Sequence, residues 1–274
     1  MSNDKPKVSI IMTAYNSEKT IEACIDSIIS QTYNDWEFII NDDASTDKTS
    51  IILSEYKKKD PRIKVIRNVQ NGGIANGLNR CLKIASGKYI AIMDADDISL
   101  PKRIGLEVNY LENHPSIDVV GSSMIVFNEN GIKGIRVLPR KLTKDTFLAG
   151  SPFANPTVMM RKSALDALGG YSVSANRAMD IELWFRLYSA GFNGMNLSQP
   201  LHKYRENISD YKRRNFSAGL DISKVFFKGY QDISIPWYKR WRALKPVVSP
   251  LIPNHLLDSY RQHKMHHYER KEIK

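Results

Sequence analysis

The chain has 274 residues, 42% of them hydrophobic, which suits one large α/β domain with an appendage and excludes a disordered chain. No apolar run approaches the roughly 20 residues of a membrane-spanning helix, and Asp4, Lys5 and Lys7 lead straight into a strand pattern, so the sequence predicts a cytosolic protein. The net charge of +11 is uneven, because residues 237–274 hold nine Lys/Arg against three acids, and a basic tail of this kind suits an anionic partner.

The first hundred residues alternate strand and helix. Val8–Met12 reads as a buried strand, and Asn16 or Ser17 as the cap of a helix with Ile21, Ile25, Ile28 and Ile29 on one face. Trp36–Ile40 is a second strand, closed by the polar run Asn41 to Asp47. Ile51, Ile52, Leu53 and Tyr56 mark the next helix, and Ile63–Ile66 a third strand. Asn71-Gly72-Gly73 turns the chain into a helix with Ile74, Leu78, Leu82 and Ala85 on its apolar side, and Tyr89–Met93 is the fourth strand. Such alternation implies a mostly parallel sheet covered on both faces, with ligands at the carboxyl ends of the strands. The order changes near residue 100. A helix from Pro101 to about Asn113 is followed by a strand at Val119–Phe127 and a hairpin return at Ile132–Val137. A strand at Thr157–Met160 and helices at Ser163–Leu168 and Asp180–Ala190 come next, and Pro236, Pro246, Pro250 and Pro253 then break the chain into short pieces. Cys24 and Cys81 fall on apolar helix faces outside any metal-type spacing and read as core thiols.

The chemistry sits at the strand ends. Asp94-Ala95-Asp96-Asp97 places three carboxylates within four residues, a repulsive arrangement that a divalent cation relieves. In an extended chain the Asp-x-Asp spacing turns Asp94 and Asp96 to the same side, leaving Asp97 as a cap for the following helix. On spacing alone, a metal site and a solvated capping turn account for the run equally well. Gly72 and Gly73 suit close approach to a phosphate, yet a turn needs them equally. Asp180 opens a predicted helix, where an N-cap is the usual role. No GxGxxG or GxxxxGK[ST] is present, which disfavours dinucleotide binding and P-loop chemistry.

Four segments in order resemble family 2 of the glycosyltransferases, which have the GT-A fold: Val8 to Asn16, Ile39 to Asp47, Gly87 to Asp97, and Ala178 to Trp184. The resemblance spans about residues 7–210. It implies an α/β fold with a mostly parallel nucleotide-binding sheet flanked by helices (residues 1–100) and an α+β acceptor-side half (101–236), to which the charge distribution adds a basic helical tail (237–274). It implies that Thr13 and Tyr15 line the nucleotide base and that Asp43 accepts from uracil N3, which favours a UDP-sugar donor. Gly73, from the turn before the third helix, is the further donor-binding candidate. Asp96 would ligate Mn2+ or Mg2+ directly, while Asp94 would hold the ribose or reach the metal through water. Asp180 matches the general base of an inverting transfer. Three positions depart from the family pattern. Met179 stands where a Glu precedes the base, Ala44 replaces a Gly, and Asn207 stands where a His often ends the segment Tyr204-Arg205-Glu206-Asn207. His202 is the nearby candidate for a third metal ligand, and Arg205 for a diphosphate contact.

Trp237-Tyr238-Lys239-Arg240-Trp241-Arg242 mixes aromatic and basic residues in the manner of a membrane-interface segment. Family members that act on lipid-linked saccharides suggest a polyprenyl-diphosphate-linked acceptor, with the enzyme on the inner face of the cytoplasmic membrane and surface polysaccharide as the product. Other readings are weaker. A sugar-nucleotide nucleotidyltransferase calls for a Gly-rich N-terminal loop with a basic residue, absent from Thr13 to Asn16. Nucleic-acid binding calls for basic residues through the fold, whereas the strand ends are acidic. A non-catalytic carbohydrate-binding protein has no need of intact Asp94, Asp96 and Asp180.

Overall fold

The first strand, β1 (Val8–Ala14), has every residue but Thr13 buried, as a central strand covered on both faces must. It belongs to a computed structural model that describes residues 6–207 and 215–272. Asp4 and Lys5, the last residues of the family-like stretch (208–210) and Lys274 lie outside the described residues. The chain continues through α1 (Ile21–Ile29), β2 (Trp36–Asp42), α2 (Thr49–Lys59), β3 (Ile63–Arg67), α3 (Ile74–Ile84), β4 (Tyr89–Ile92), β5 (Ile98–Ser99) and α4 (Arg103–Asn113). The second half comprises β6 (Val119–Asn128), β7 (Gly131–Arg136), α5 (Lys144–Ala149), β8 (Met159–Arg161), α6 (Lys162–Ala167), α7 (Met179–Ser189), β9 (Gly194–Arg205) and α8 (Phe216–Asp232). A 3-10 turn at Trp237–Leu244, the short α9 (Lys245–Val248) and α10 (Asn254–Glu272) end the described chain.

Alternate residues of a strand point to opposite faces, and the central strands sort their side chains accordingly. Ile11, Ile39, Ile90 and Ile92 enter one core with Leu78 and Cys81 of α3 and Leu183, Trp184 and Phe185 of α7. Ile10, Met12, Phe38, Ile40 and Ala91 enter the other, with Ile21, Cys24, Ile25 and Ile28 of α1, Leu53 of α2 and Ile104, Val108 and Leu111 of α4. Burying one such aliphatic side chain contributes about 1.5–3 kcal/mol.

Among the described residues nine strands form one sheet in the order β3-β2-β1-β4-β8-β6-β9-β5, with β7 paired to β6 off that path. β1, β2, β3 and β4 are mutually parallel, β8 is antiparallel to both β4 and β6, and β9 is parallel to β6. The carboxyl ends of β1, β2, β4, β6 and β9 therefore share one edge. The chain builds outward from β1 through β2 to β3, then returns to place β4 on the other side of β1. That reversal is a topological switch point, where open α/β sheets bind ligands.

Several elements depart from the sequence pattern for local reasons. The cap of α1 is Thr20 rather than Asn16 or Ser17, and the Thr20 hydroxyl donates to Ala95 O (3.0 Å) instead of capping its helix. Residue 94 to residue 97 is a turn, closed by Asp97 N donating to Asp94 O (3.3 Å), and not the extended chain assumed for Asp-x-Asp. Asp97 caps nothing: α4 begins after Lys102 without a side-chain cap. The two-residue β5 and the 17-residue α8 carry no clear mark in the sequence. The C-terminal segment packs on the fold. A Cβ at Gly219 of α8 would lie 2.5 Å from Pro246 O, and α10 docks on β7, where Lys133 Nζ meets Asp258 Oδ1 at 3.2 Å.

Candidate active site

On one side of the switch point, the ends of β1 and β2 are laced to the turn before α3. Asp43 N donates to Ala14 O (2.8 Å), and Asn16 N donates to Ser45 Oγ (3.1 Å) while Asn16 Oδ1 accepts from Thr46 N (2.8 Å). The Asp43 carboxylate accepts from Gly72 N (2.9 Å), Gly73 N (2.8 Å) and the Asn68 amide. Asp43 is only 1% exposed, so it lies beneath the rim. Gly73 is needed for its backbone, at φ +82°, since nothing stands within 4 Å of where its Cβ would be. Its amide serves Asp43, which accounts for Gly73 without a phosphate. Thr13 Oγ1 donates to Ile74 O (3.4 Å) and lies against Gly77, where any side chain would run into it. Tyr15 stands past the strand end with 48% of its surface exposed, a ring open for stacking.

On the other side lies the acidic turn after β4. Cys24 Sγ reaches Asp94 O (3.4 Å) and Thr20 holds Ala95 O, so α1 fixes the turn's backbone from below. Asp94 is half-buried and Asp96 exposed. Burial, with the charges of Asp96 and Asp180, pushes the Asp94 carboxyl up to about 7 against the pull of Arg103. Asp180 comes from the first turn of α7, one residue inside a helix whose N-cap position is Ala178, so it is not the cap. Burial raises its carboxyl, while the amides of Asp180 and Ile181 lower it. Two halves of the chain thus bring three carboxylates into one electrostatic group. Tyr171 is buried behind it: burial, Asp180 and Asp94 all raise its phenol, and its hydroxyl donates to Asn155 Oδ1 (3.0 Å).

The third wall is the end of β9. Arg205 Nε donates to Asp96 O (2.9 Å), Arg205 N to Asp97 Oδ1 (2.8 Å), and the guanidinium lies 4.6 Å from the Phe127 ring centroid. The structure removes His202 from the candidate ligands. It is fully buried with both ring nitrogens engaged, Nδ1 at 3.1 Å from Arg103 Nη1 and Nε2 at 2.8 Å from Asp97 Oδ2. Arginine only donates, so Nδ1 accepts and Nε2 carries the proton. Burial and Arg103 keep the ring neutral, holding it well below the usual histidine range. No lone pair is left for a metal.

Arg103, Asn155 and Tyr171 were not picked out from the sequence. For Arg103 a signal exists: Arg103, Ile104, Glu107, Val108 and Leu111 share one helix face, a charged pair within an apolar stripe. Arg103 Nε donates to Glu107 Oε1 (3.0 Å) and Nη2 to Ile92 O (3.0 Å), which ties α4 to the end of β4. Asn155 and Tyr171 carry no such mark. A separate cleft of about 560 Å³ opens at the amino-terminal edge of the sheet. Its Lys162 pairs with Asp166 (2.6 Å) and its Lys88 with Glu112 (2.8 Å), and none of the carboxylates above reaches it.

Comparison with known proteins bears on the fold and the family. EpsE of Bacillus subtilis (strain 168), itself provisionally named a glycosyltransferase, is 41% identical over 263 residues, covering 95% of each chain. The Escherichia coli UDP-Glc:alpha-D-GlcNAc-diphosphoundecaprenol beta-1,3-glucosyltransferase WfgD is 32% identical over 219 residues, covering 78% of this chain and 84% of its own. The mannosyltransferase PcManGT from Pyrobaculum calidifontis, solved with GDP-Man and Mn2+, superposes with a TM-score of 0.66 at 20% identity, covering 94% of this chain and 72% of its own, and shares the GT-A fold. The model of glycosyl transferase family 2 matches residues 9–169, which include β1, the acidic turn and the switch point between them. This chain belongs to glycosyltransferase family 2.

Proposed function

We propose that the protein transfers a sugar from a UDP-sugar to a hydroxyl of a lipid-linked saccharide, with inversion, during surface polysaccharide synthesis. The observation that carries this reading is the meeting of Asp180 with Asp94 and Asp96 at the switch point, each charge acting on the Asp94 carboxyl. Tyr15 supports a stacked base. One lone pair of the Asp43 carboxylate remains beyond the three that the fold uses, which supports a uracil N3–H donor. WfgD uses a UDP-sugar and a diphosphoundecaprenol-linked acceptor, which supports both donor and acceptor class.

In this mechanism Asp180 accepts the proton of the acceptor hydroxyl, and a carboxyl raised by burial is the stronger base for it. The acceptor oxygen forms its bond to the anomeric carbon from the face opposite the diphosphate. The bond from that carbon to the phosphate oxygen breaks, and the electron pair leaves with UDP. Arg205 meets the diphosphate charge in this reading, which its bond to Asp96 O at the rim supports.

The donor set suits Mn2+ or Mg2+, since it offers hard carboxylate oxygens whose mutual repulsion a cation relieves. Among the described residues no three His, Cys, Asp or Glu side chains hold a metal by themselves. Asp96, with Asp94, would therefore share the ion with diphosphate oxygens, the usual habit of Mg2+. When bound, the ion neutralises charge on the leaving diphosphate.

Nucleotide release from UDP-, GDP- and dTDP-sugars, measured with and without Mn2+, tests the reading. Metal-dependent release from a UDP-sugar is expected. Asp180→Asn should lower transfer by about 10²–10⁴-fold with donor affinity nearly unchanged, whereas Asp96→Ala should weaken metal-dependent donor binding itself. Equal loss of donor binding in both variants would make Asp180 structural and remove the base.

A further inference from the structure

We infer that the exposed face of the C-terminal segment is a docking surface for an anionic membrane. A 3-10 helix has three residues per turn, so Trp237–Leu244 sorts into stripes. Ala243 is fully buried against the body, and Arg240 of the same stripe donates to Ile235 O (2.9 Å), which fixes the orientation of the helix. The next stripe, Tyr238, Trp241 and Leu244, faces outward, with Trp241 62% exposed. Val248 and Leu251 further along are exposed as well, and Trp237, the first residue of the Ala243 stripe, is 81% exposed. Isolated exposed apolar residues are ordinary, but a run of two Trp, one Tyr and three aliphatics along one segment is not.

Charge selects the occupant. From Ile233 to Leu257 the sequence has no acid, and Lys239 and Arg242 stand among the rings, with Arg242 over Trp241, while Arg240 and Lys245 donate to Ile235 O and Leu148 O. Aromatic rings flanked by basic groups match the headgroup level of a bilayer with negative lipids. A second copy of this chain would bring Lys239 and Arg242 against their own positive charges, with no acid between Ile233 and Leu257 to offset them. The segment packs on the body where α9 meets α8 at Gly219, and Arg261 of the following α10 reaches Glu206 (3.4 Å), the neighbour of Arg205. Among the described residues no helix is long and apolar enough to cross a membrane.

Co-sedimentation of the full chain with vesicles tests the inference, comparing phosphatidylcholine alone with phosphatidylcholine containing phosphatidylglycerol. Binding is expected to the mixed vesicles only, and to fall as salt is added. Lys239→Gln with Arg242→Gln should weaken it by roughly 30-fold, about fivefold for each basic group near the surface. Trp237→Ser with Trp241→Ser should weaken it at least about tenfold, while Ile51→Ser, exposed on α2, leaves it unchanged. UDP binding followed in the same variants should stay constant, which separates this surface from the catalytic reading. Equal binding to both vesicle types, binding that survives both pairs of substitutions, or a dimer that Trp241→Ser dissolves without any vesicle binding would each overturn the inference.

Discussion

Ala44 holds φ at +63°, a left-handed backbone that costs an L-residue with a Cβ roughly 1–2 kcal/mol. It sits between Asp43, which ties β2 to the α3 turn, and Ser45, whose hydroxyl accepts from Asn16 N. The network on both sides over-determines the strained residue, as is common at ligand rims. Ala44→Gly relieves the strain but adds freedom to the unfolded chain. A net gain of about 1 kcal/mol is expected, seen as a rise of about 2–3 °C in Tm. No rise would mean that the rim has adapted to the methyl group. The same scale separates Asp94 from Asp97. Both carboxyls are raised by burial and by their acidic neighbours, but Asp97 spends its oxygens on His202 and Arg205 N, whereas Asp94 faces Asp180.

At the scale of elements, α4 locks the acidic turn to β9 through the buried chain Glu107, Arg103, His202 and Asp97. Burial raises Glu107 from an ordinary 4.5 to about 7, with the Arg103 charge pulling the other way. The native state therefore binds a proton more tightly than the unfolded chain, and this group's contribution to stability falls as pH rises from about 4.5 to about 7. Glu107→Gln cannot titrate. Between pH 5 and pH 8 the wild type should lose stability relative to that variant by on the order of 2 kcal/mol in urea unfolding. Parallel pH profiles would mean that Arg103 keeps Glu107 ionised throughout.

For the whole molecule, the question is how the last forty residues join the body. Gly219 allows α8 to meet the Pro246 backbone directly, and a Cβ there would lie 2.5 Å from Pro246 O and 3.0 Å from Val247 Cα. Backbone atoms do not swing aside as a side chain does. Gly219→Ala should therefore cost about 1–3 kcal/mol, as overpacking does, despite Ala being the better helix former. The loss should appear as faster hydrogen exchange across residues 237–251, with β1 to β4 unaffected. Uniform exchange changes would show that the segment and the sheet open together.

The strands and helices of the first hundred residues were legible in the sequence because each is periodic and buried on a defined face. Ile10 and Ile11 go to opposite cores by the period of the strand alone. Thr13, Tyr15, Asp43, Asp94 and Asp96 were legible as a set because the turns after parallel strands must share an edge, whereas Asp180, in the first turn of α7, joined them only through the family resemblance. The roles of Asp97 and His202 were not, since a buried polar pair draws its partners from residues about a hundred positions away, here from β9 and α4. Nor was the length of α8, whose burial rests on contacts with α7 and with the segment after Pro236. Composition determined a basic, aromatic C-terminal segment. Only the tertiary structure decided which of its rings are exposed, because Ala243 and Gly219 anchor it, and packing between elements distant in the chain leaves no periodic trace along it.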